Sequence, residues 1–128
     1  MIITIGSHKG GTGKSTLSTN LAVAYQSTGH RVIVIEADPS VSTTSTWAAR
    51  REEHDELTPV TVLRKTGRLA PTLRDLQQVY DIIIVDTAGK DSVELRSAAL
   101  VSDVLLTPTN ADVADLDSTA EFITRMDE

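Results

Sequence analysis

Five short apolar runs recur along the chain, at residues 2–5, 32–35, 60–63, 82–85 and 104–106. Most are rich in β-branched residues and nearly continuous rather than alternating, the pattern of parallel strands covered on both faces. Helix-length stretches separate them. Residues 14–27 place Leu17, Leu21 and Tyr25 four apart on one face, and Gly29 follows as a C-terminal cap. Residues 47–56 read as a second, heavily charged helix ended by Pro59. Residues 70–79 read as a third, with Pro71 in the first turn, where its missing N–H leaves no bond unmade. Residues 92–101 and 111–126 complete the set. The hydroxyl-rich segment 40–46 reads as a loop, and no internal repeat is present.

Strand–helix alternation with short connections predicts one α/β domain over residues 1–128. It is a three-layer α/β/α arrangement with a mainly parallel sheet of about five strands and helices on both faces. Ligands of such sheets bind at the carboxyl ends of the strands. The residues that follow Ile5, Ile35, Val85 and Leu106 are therefore the ones to read for chemistry.

The chain has 128 residues, 40% hydrophobic and 23% charged, which excludes collagen-like and disordered classes. It contains no cysteine, so a thiolate zinc site, an iron–sulfur cluster and a cysteine nucleophile are excluded. No apolar run approaches the roughly 20 residues of a membrane helix, and no basic stretch precedes the first apolar run as in a signal peptide. A cytoplasmic protein is expected. The net charge of −6 comes wholly from residues 65–128, with six basic against twelve acidic residues. No basic face for nucleic acid is visible. His8, His30 and His54 lack metal-ligand spacing, and Tyr25, Trp47, Tyr80 and Phe122 are too dispersed to form a base-stacking platform.

The segment from Ser7 to Thr16, Ser-His-Lys-Gly-Gly-Thr-Gly-Lys-Ser-Thr, joins the first strand to the first helix. Gly10, Gly11 and Gly13 let backbone N–H groups turn inward around an anion, and the helix N-terminus adds partial positive charge. Lys14 suits the β- and γ-phosphates of a nucleotide, Ser15 a Mg²⁺ ion, and Thr16 the α-phosphate. The first glycine of the ordinary phosphate-loop pattern is replaced by His8, and a second lysine stands at Lys9. A chance match to Lys-Gly-Gly-x-Gly-Lys-Ser in a chain this long is on the order of 10⁻⁵ at average residue usage.

Two carboxylates end later strands. Asp38, in Glu36-Ala-Asp-Pro-Ser40, suits a group that orients an attacking water or meets Mg²⁺ through water; the same residues also make a common Asp-Pro turn. Asp86 closes the run Ile82-Ile-Ile-Val-Asp-Thr-Ala-Gly89. A carboxylate held by a buried strand can bind Mg²⁺ directly or through water. Gly89 can offer its N–H to the γ-phosphate, making 87–92 a sensor of nucleotide state. Lys90, Asp91, Glu94 and Arg96 read as a solvated helix start, with a role at a dimer face as the alternative.

These motifs resemble those of the ParA/MinD ATPases, whose deviant Walker A loop is matched by Lys9-Gly-Gly-Thr-Gly-Lys-Ser-Thr16. The resemblance implies that Lys9, Gly10, Gly11, Thr12, Gly13, Lys14, Ser15, Thr16 and Gly89 bind ATP, and that Ser15, Asp38 and Asp86 serve Mg²⁺. It also implies that Lys9, Asp38 and Asp86 take part in hydrolysis, with Lys9 crossing to the phosphates held by a partner subunit. The family's Asp-x-Asp-Pro-Gln is altered here to Glu36 and Ser40. The likeness runs over the N-terminal two-thirds of a small partitioning ATPase. It implies a homodimer formed through the nucleotide face, a DNA-bound adaptor protein, non-specific DNA binding in a full-length protein, nucleoid association and a role in plasmid or chromosome segregation. The strand ending at Leu106 is expected at an exposed sheet edge that association would cover. Alternatives are a nucleotide-binding regulator without turnover and a MinD-like cell-division ATPase. The acidic stretch 111–126 lacks the basic polar face of a membrane-surface helix, and no membrane partner is expected.

Overall fold

Strand and helix alternate strictly through the chain: β1 (Ile2–Ile5), α1 (Lys14–Ser27), β2 (Val32–Glu36), α2 (Thr43–Glu52), β3 (Thr61–Arg64), α3 (Ala70–Leu76), β4 (Ile82–Asp86), α4 (Val93–Ala99), β5 (Val104–Leu106) and α5 (Val113–Met126). The computed structural model describes residues 1–7, 13–40, 42–88, 90–109, 111 and 113–126. All five strands lie parallel in one sheet of order β3-β2-β4-β1-β5.

Period-two alternation sorts each central strand between two apolar layers. Ile2, Ile33, Ile35, Ile83 and Val85 face one side, where Leu69 and Leu73 around α3 and Ala98 of α4 cover them. Ile3, Ile5, Val32, Val34, Ile82 and Ile84 face the other, packed by Ala22, Leu17 and Leu21 of α1 and by Trp47 of α2. Every residue of β1, β2 and β4 is buried, as the continuous apolar runs predict.

Two expectations are corrected. The second helix begins at Thr43 and ends at Glu52, so much of the hydroxyl-rich segment forms its first turn instead of a loop. Propensity disfavours that turn; tertiary bonds described below hold it. The third strand is shifted by one residue and, at the sheet edge, is largely exposed, with Leu63 39% accessible. Its apolar run therefore does not mark burial on both faces. β5 forms the opposite edge as expected, and Val104 is 37% accessible there.

Register puts one row of residues across the carboxyl edge of the sheet. Arg64 lies opposite Glu36, Glu36 opposite Asp86, Asp86 opposite Ile5, and Ile5 opposite Leu106. Residues in one row of a parallel sheet point to the same face. This face carries α1 and α2.

Candidate functional site

The site grows from the end of β1. Gly6 is buried, and a Cβ built there would stand 2.5 Å from Leu95 Cδ1 and 3.0 Å from Thr87 Oγ1, so any side chain there would have to displace Leu95. Thr87 Oγ1 donates to the Ile5 carbonyl at 2.9 Å, tying the end of β4 to the end of β1. Lys9, Gly10, Gly11 and Thr12, with His8, lie outside the described residues, as does Gly89. Gly13 is the N-cap of α1 with φ of 89°, a left-handed conformation that glycine adopts without steric cost. Its carbonyl accepts from Leu17 N at 2.9 Å and starts the helix.

From that start, the first turn of α1 aims inward. Lys14 is 8% accessible. Ser15 Oγ donates to Asp86 Oδ2 at 3.0 Å. Thr16 is exposed at the rim, and its carbonyl accepts from Thr19 Oγ1 and Asn20 Nδ2. A groove of about 170 Å³ between α1 and α2 is lined by Ser15, Thr16, Thr19, Thr43 and Trp47.

Asp86 is 4% accessible and collects a second hydroxyl, Thr44 Oγ1, which donates to the same Oδ2 at 3.1 Å. Burial pushes the Asp86 carboxyl above its ordinary value. The bonds from Ser15 and Thr44 and the charge of Lys14 oppose that rise, and the negative charge of Glu36 adds to it. A buried carboxylate is costly in its charged form, and a bound cation would stabilise that form. The donor atoms here are all hard oxygens, and among the described residues no group of three or more His, Cys, Asp or Glu could hold a metal. That set fits Mg²⁺, which takes few protein ligands and completes its shell with phosphate and water oxygens.

Neighbouring Glu36 is equally buried, at 2%, and is neutralised by Arg64, whose Nε lies 3.0 Å from Oε1. Its carboxylate also accepts from Ser45 N at 2.8 Å and Ser45 Oγ at 3.1 Å. Asp38 is half-buried beyond the end of β2, and its Oδ1 accepts from Ser40 N at 2.9 Å and Ser40 Oγ at 2.6 Å. That is the local turn expected of an Asp-Pro segment. Further along, Asp91 and Arg96 form a two-pronged pair at the start of α4, with Nη2 to Oδ2 at 2.7 Å. The hydrogen bond and charge of Arg96 hold the Asp91 carboxyl below its usual range.

Of the residues singled out from sequence, Ser15 and Asp86 meet directly, Lys14 and Gly13 adjoin them, and Asp38 is engaged with Ser40. Two participants were missed. Thr44 was hidden in a segment read as loop, although six hydroxyl side chains in seven positions was a usable signal. Glu36 was read as a departure from a pattern, and its pairing with Arg64 and Ser45 appears only in three dimensions.

Comparison with known proteins identifies the family of the fold. The model of the CobQ/CobB/MinD/ParA nucleotide binding domain matches residues 3–127. The maintenance of carboxysome distribution protein A of Gloeobacter kilaueensis is 32% identical over 126 residues, which is 97% of this chain and 56% of that protein. The septum site-determining protein MinD of Pyrococcus horikoshii, solved in complex with Mg-ADP, superposes with a TM-score of 0.77 at 24% identity, covering 98% of this chain and 64% of that one. A plasmid partition protein from Borrelia burgdorferi superposes with a TM-score of 0.71 at 25% identity, covering all of this chain and 75% of that one. The chain thus spans about half the length of the curated relative it matches. With the family model matched over residues 3–127 and with its all-parallel sheet, the chain belongs to the CobQ/CobB/MinD/ParA family of nucleotide-binding domains.

Proposed function

We propose that this chain binds and hydrolyses ATP with Mg²⁺ as a ParA-like partitioning ATPase, dimerising through its nucleotide face and acting in plasmid or chromosome segregation with a DNA-bound adaptor. The observation that carries the reading is the meeting of Ser15 and Asp86 at the carboxyl edge of the sheet, directly beneath the first turn of α1. Support for nucleotide comes from the MinD relative, which was solved with Mg-ADP, and support for partitioning comes from the Borrelia plasmid partition protein.

In this reading Gly13 and the preceding glycines give their N–H groups to the phosphates, and Lys14 adds a positive charge beside them. Ser15 and Asp86 would hold Mg²⁺, which would supply neutralisation of charge on phosphate oxygens. Asp38, released from Ser40, orients the attacking water. Lys9 of one subunit reaches the phosphates held by the other and offsets charge that builds up during transfer. Hydrolysis then depends on dimerisation. Among the described residues no helix is long and apolar enough to cross a membrane.

Phosphate release from ATP and Mg²⁺, with and without duplex DNA, tests the reading. Release by the wild-type chain that Lys9→Ala abolishes, with ATP binding retained, supports it. Release unchanged in Lys9→Ala removes the trans-acting lysine. Tight ATP binding with no release in the wild type favours a nucleotide-gated regulator.

A further inference from the structure

We propose that Thr44 is a second side-chain hydroxyl of the cation site and that buried Glu36 is the positioning residue that delivers it. The inference rests on the Mg²⁺–nucleotide reading of the site and extends it to residues on α2.

Ser15 Oγ and Thr44 Oγ1 donate to the same oxygen of Asp86, at 3.0 and 3.1 Å. Each hydroxyl has one proton and two lone pairs. With both protons committed to Asp86, both oxygens keep lone pairs for a hard cation. Thr44 is 1% accessible, so its hydroxyl is buried beside the carboxylate and does not serve solvent. Ser15 and Thr44 come from different helices and converge from two sides on one carboxylate.

Something must hold α2 in place for this to occur. Its N-cap, Ser42, makes no side-chain capping bond, and its first turn contains residues that favour other conformations. The missing cap is supplied across space by Glu36, which accepts both the backbone N–H and the hydroxyl of Ser45. A carboxylate at a helix N-terminus is further favoured by the helix dipole. Arg64 neutralises Glu36, which makes so buried an acid tolerable. Consecutive residues Thr44 and Ser45 are thus held by two carboxylates, Asp86 and Glu36, that lie opposite each other on adjacent strands. Moving α2 breaks both attachments together, so cation occupancy and the position of α2 are linked. Trp47, the chain's only tryptophan, sits one turn further along the same helix and reports on it.

Calorimetric binding of a non-hydrolysable ATP analogue, in Mg²⁺ and in chelator, measures the gain in affinity that the metal confers. Trp47 emission is followed in parallel. For Thr44→Val we expect the gain to fall roughly ten- to a hundredfold, as for losses around other metal sites, with affinity in chelator unchanged. Thr44→Ser restores the gain. Glu36→Gln lowers the gain in the wild-type background and shifts Trp47 emission, yet adds little in the Thr44→Val background. A Thr44→Val protein with the wild-type metal gain overturns the proposal while leaving the site reading intact. Full additivity of the two substitutions overturns the positioning role of Glu36. A wild-type chain that binds the analogue in neither condition overturns the site reading, and this inference with it.

Discussion

Ser15 and Asp86, 71 positions apart in the chain, are joined by a 3.0 Å hydrogen bond from hydroxyl to carboxylate. The bond closes the start of α1 onto the end of β4. Asp86 is buried beneath it, and its carboxyl is held above the ordinary value by desolvation.

That burial has a consequence for stability. Between the ordinary carboxyl value and the raised one, the folded state binds more protons than the unfolded state. Stability of the ligand-free chain therefore falls as pH rises through that window. Asp86→Asn removes the charge and keeps an acceptor for Ser15 and Thr44. We expect its Tm at neutral pH to exceed that of the wild type and to lose this part of the pH dependence, while its Mg²⁺-dependent gain in nucleotide affinity disappears. Thermal melts from acid to neutral pH check the first part. A wild-type Tm higher than that of the variant throughout contradicts it.

Lys14 is buried in the first turn of α1, next to the segment proposed to bind phosphate. Charge-assisted bonds contribute about 1.5–3 kcal/mol each, so Lys14→Ala is expected to weaken ATP binding by about ten- to a hundredfold or more. Direct titration with a fluorescent ATP analogue measures it. Retained affinity would refute the phosphate-loop assignment.

Arg64 and Glu36 form an ion pair in which the acid is buried and the guanidinium is half exposed. Removing the base leaves a buried carboxylate whose remaining side-chain partner among the described residues is Ser45. Loss of one partner of a fully buried pair costs about 3–5 kcal/mol, and exposure of Arg64 reduces that. We expect Arg64→Ala to cost on the order of 1–2 kcal/mol in urea unfolding at neutral pH.

Gly6 leaves no room for a side chain between Leu95 and Thr87. Gly6→Ala forces Leu95, fully buried, out of place. Overpacking of this kind costs about 1–3 kcal/mol, and the Tm is expected to fall by roughly 4 °C for each kcal/mol in a domain this size. An unchanged Tm would mean that the end of β1 can shift without loss.

The alternation of strands and helices was legible in the sequence because β-branched runs and helix-period spacing are local properties. α1 and β1 appear with the bounds their patterns predict. The first turn of α2 was not legible. Ser42 to Thr46 carry little helix propensity, and the carboxylates that hold Thr44 and Ser45 come from β4 and β2. The start of α3 is similar. It has no side-chain cap of its own, and buried Ser97 of α4 accepts from both Leu69 N and Ala70 N. β3 was misjudged for a related reason: an apolar run does not reveal whether its strand will lie at the edge of a sheet.

By itself the sequence determined the element order and the placement of Asp86 at the end of an apolar strand, since each depends on residues close together in the chain. Only the tertiary structure decided that Arg64, Glu36 and Asp86 share one row and that Ser15 and Thr44 meet on one carboxylate oxygen. Strand order and register arise from the joint packing of two apolar layers against helices distant in sequence. No local period carries that information.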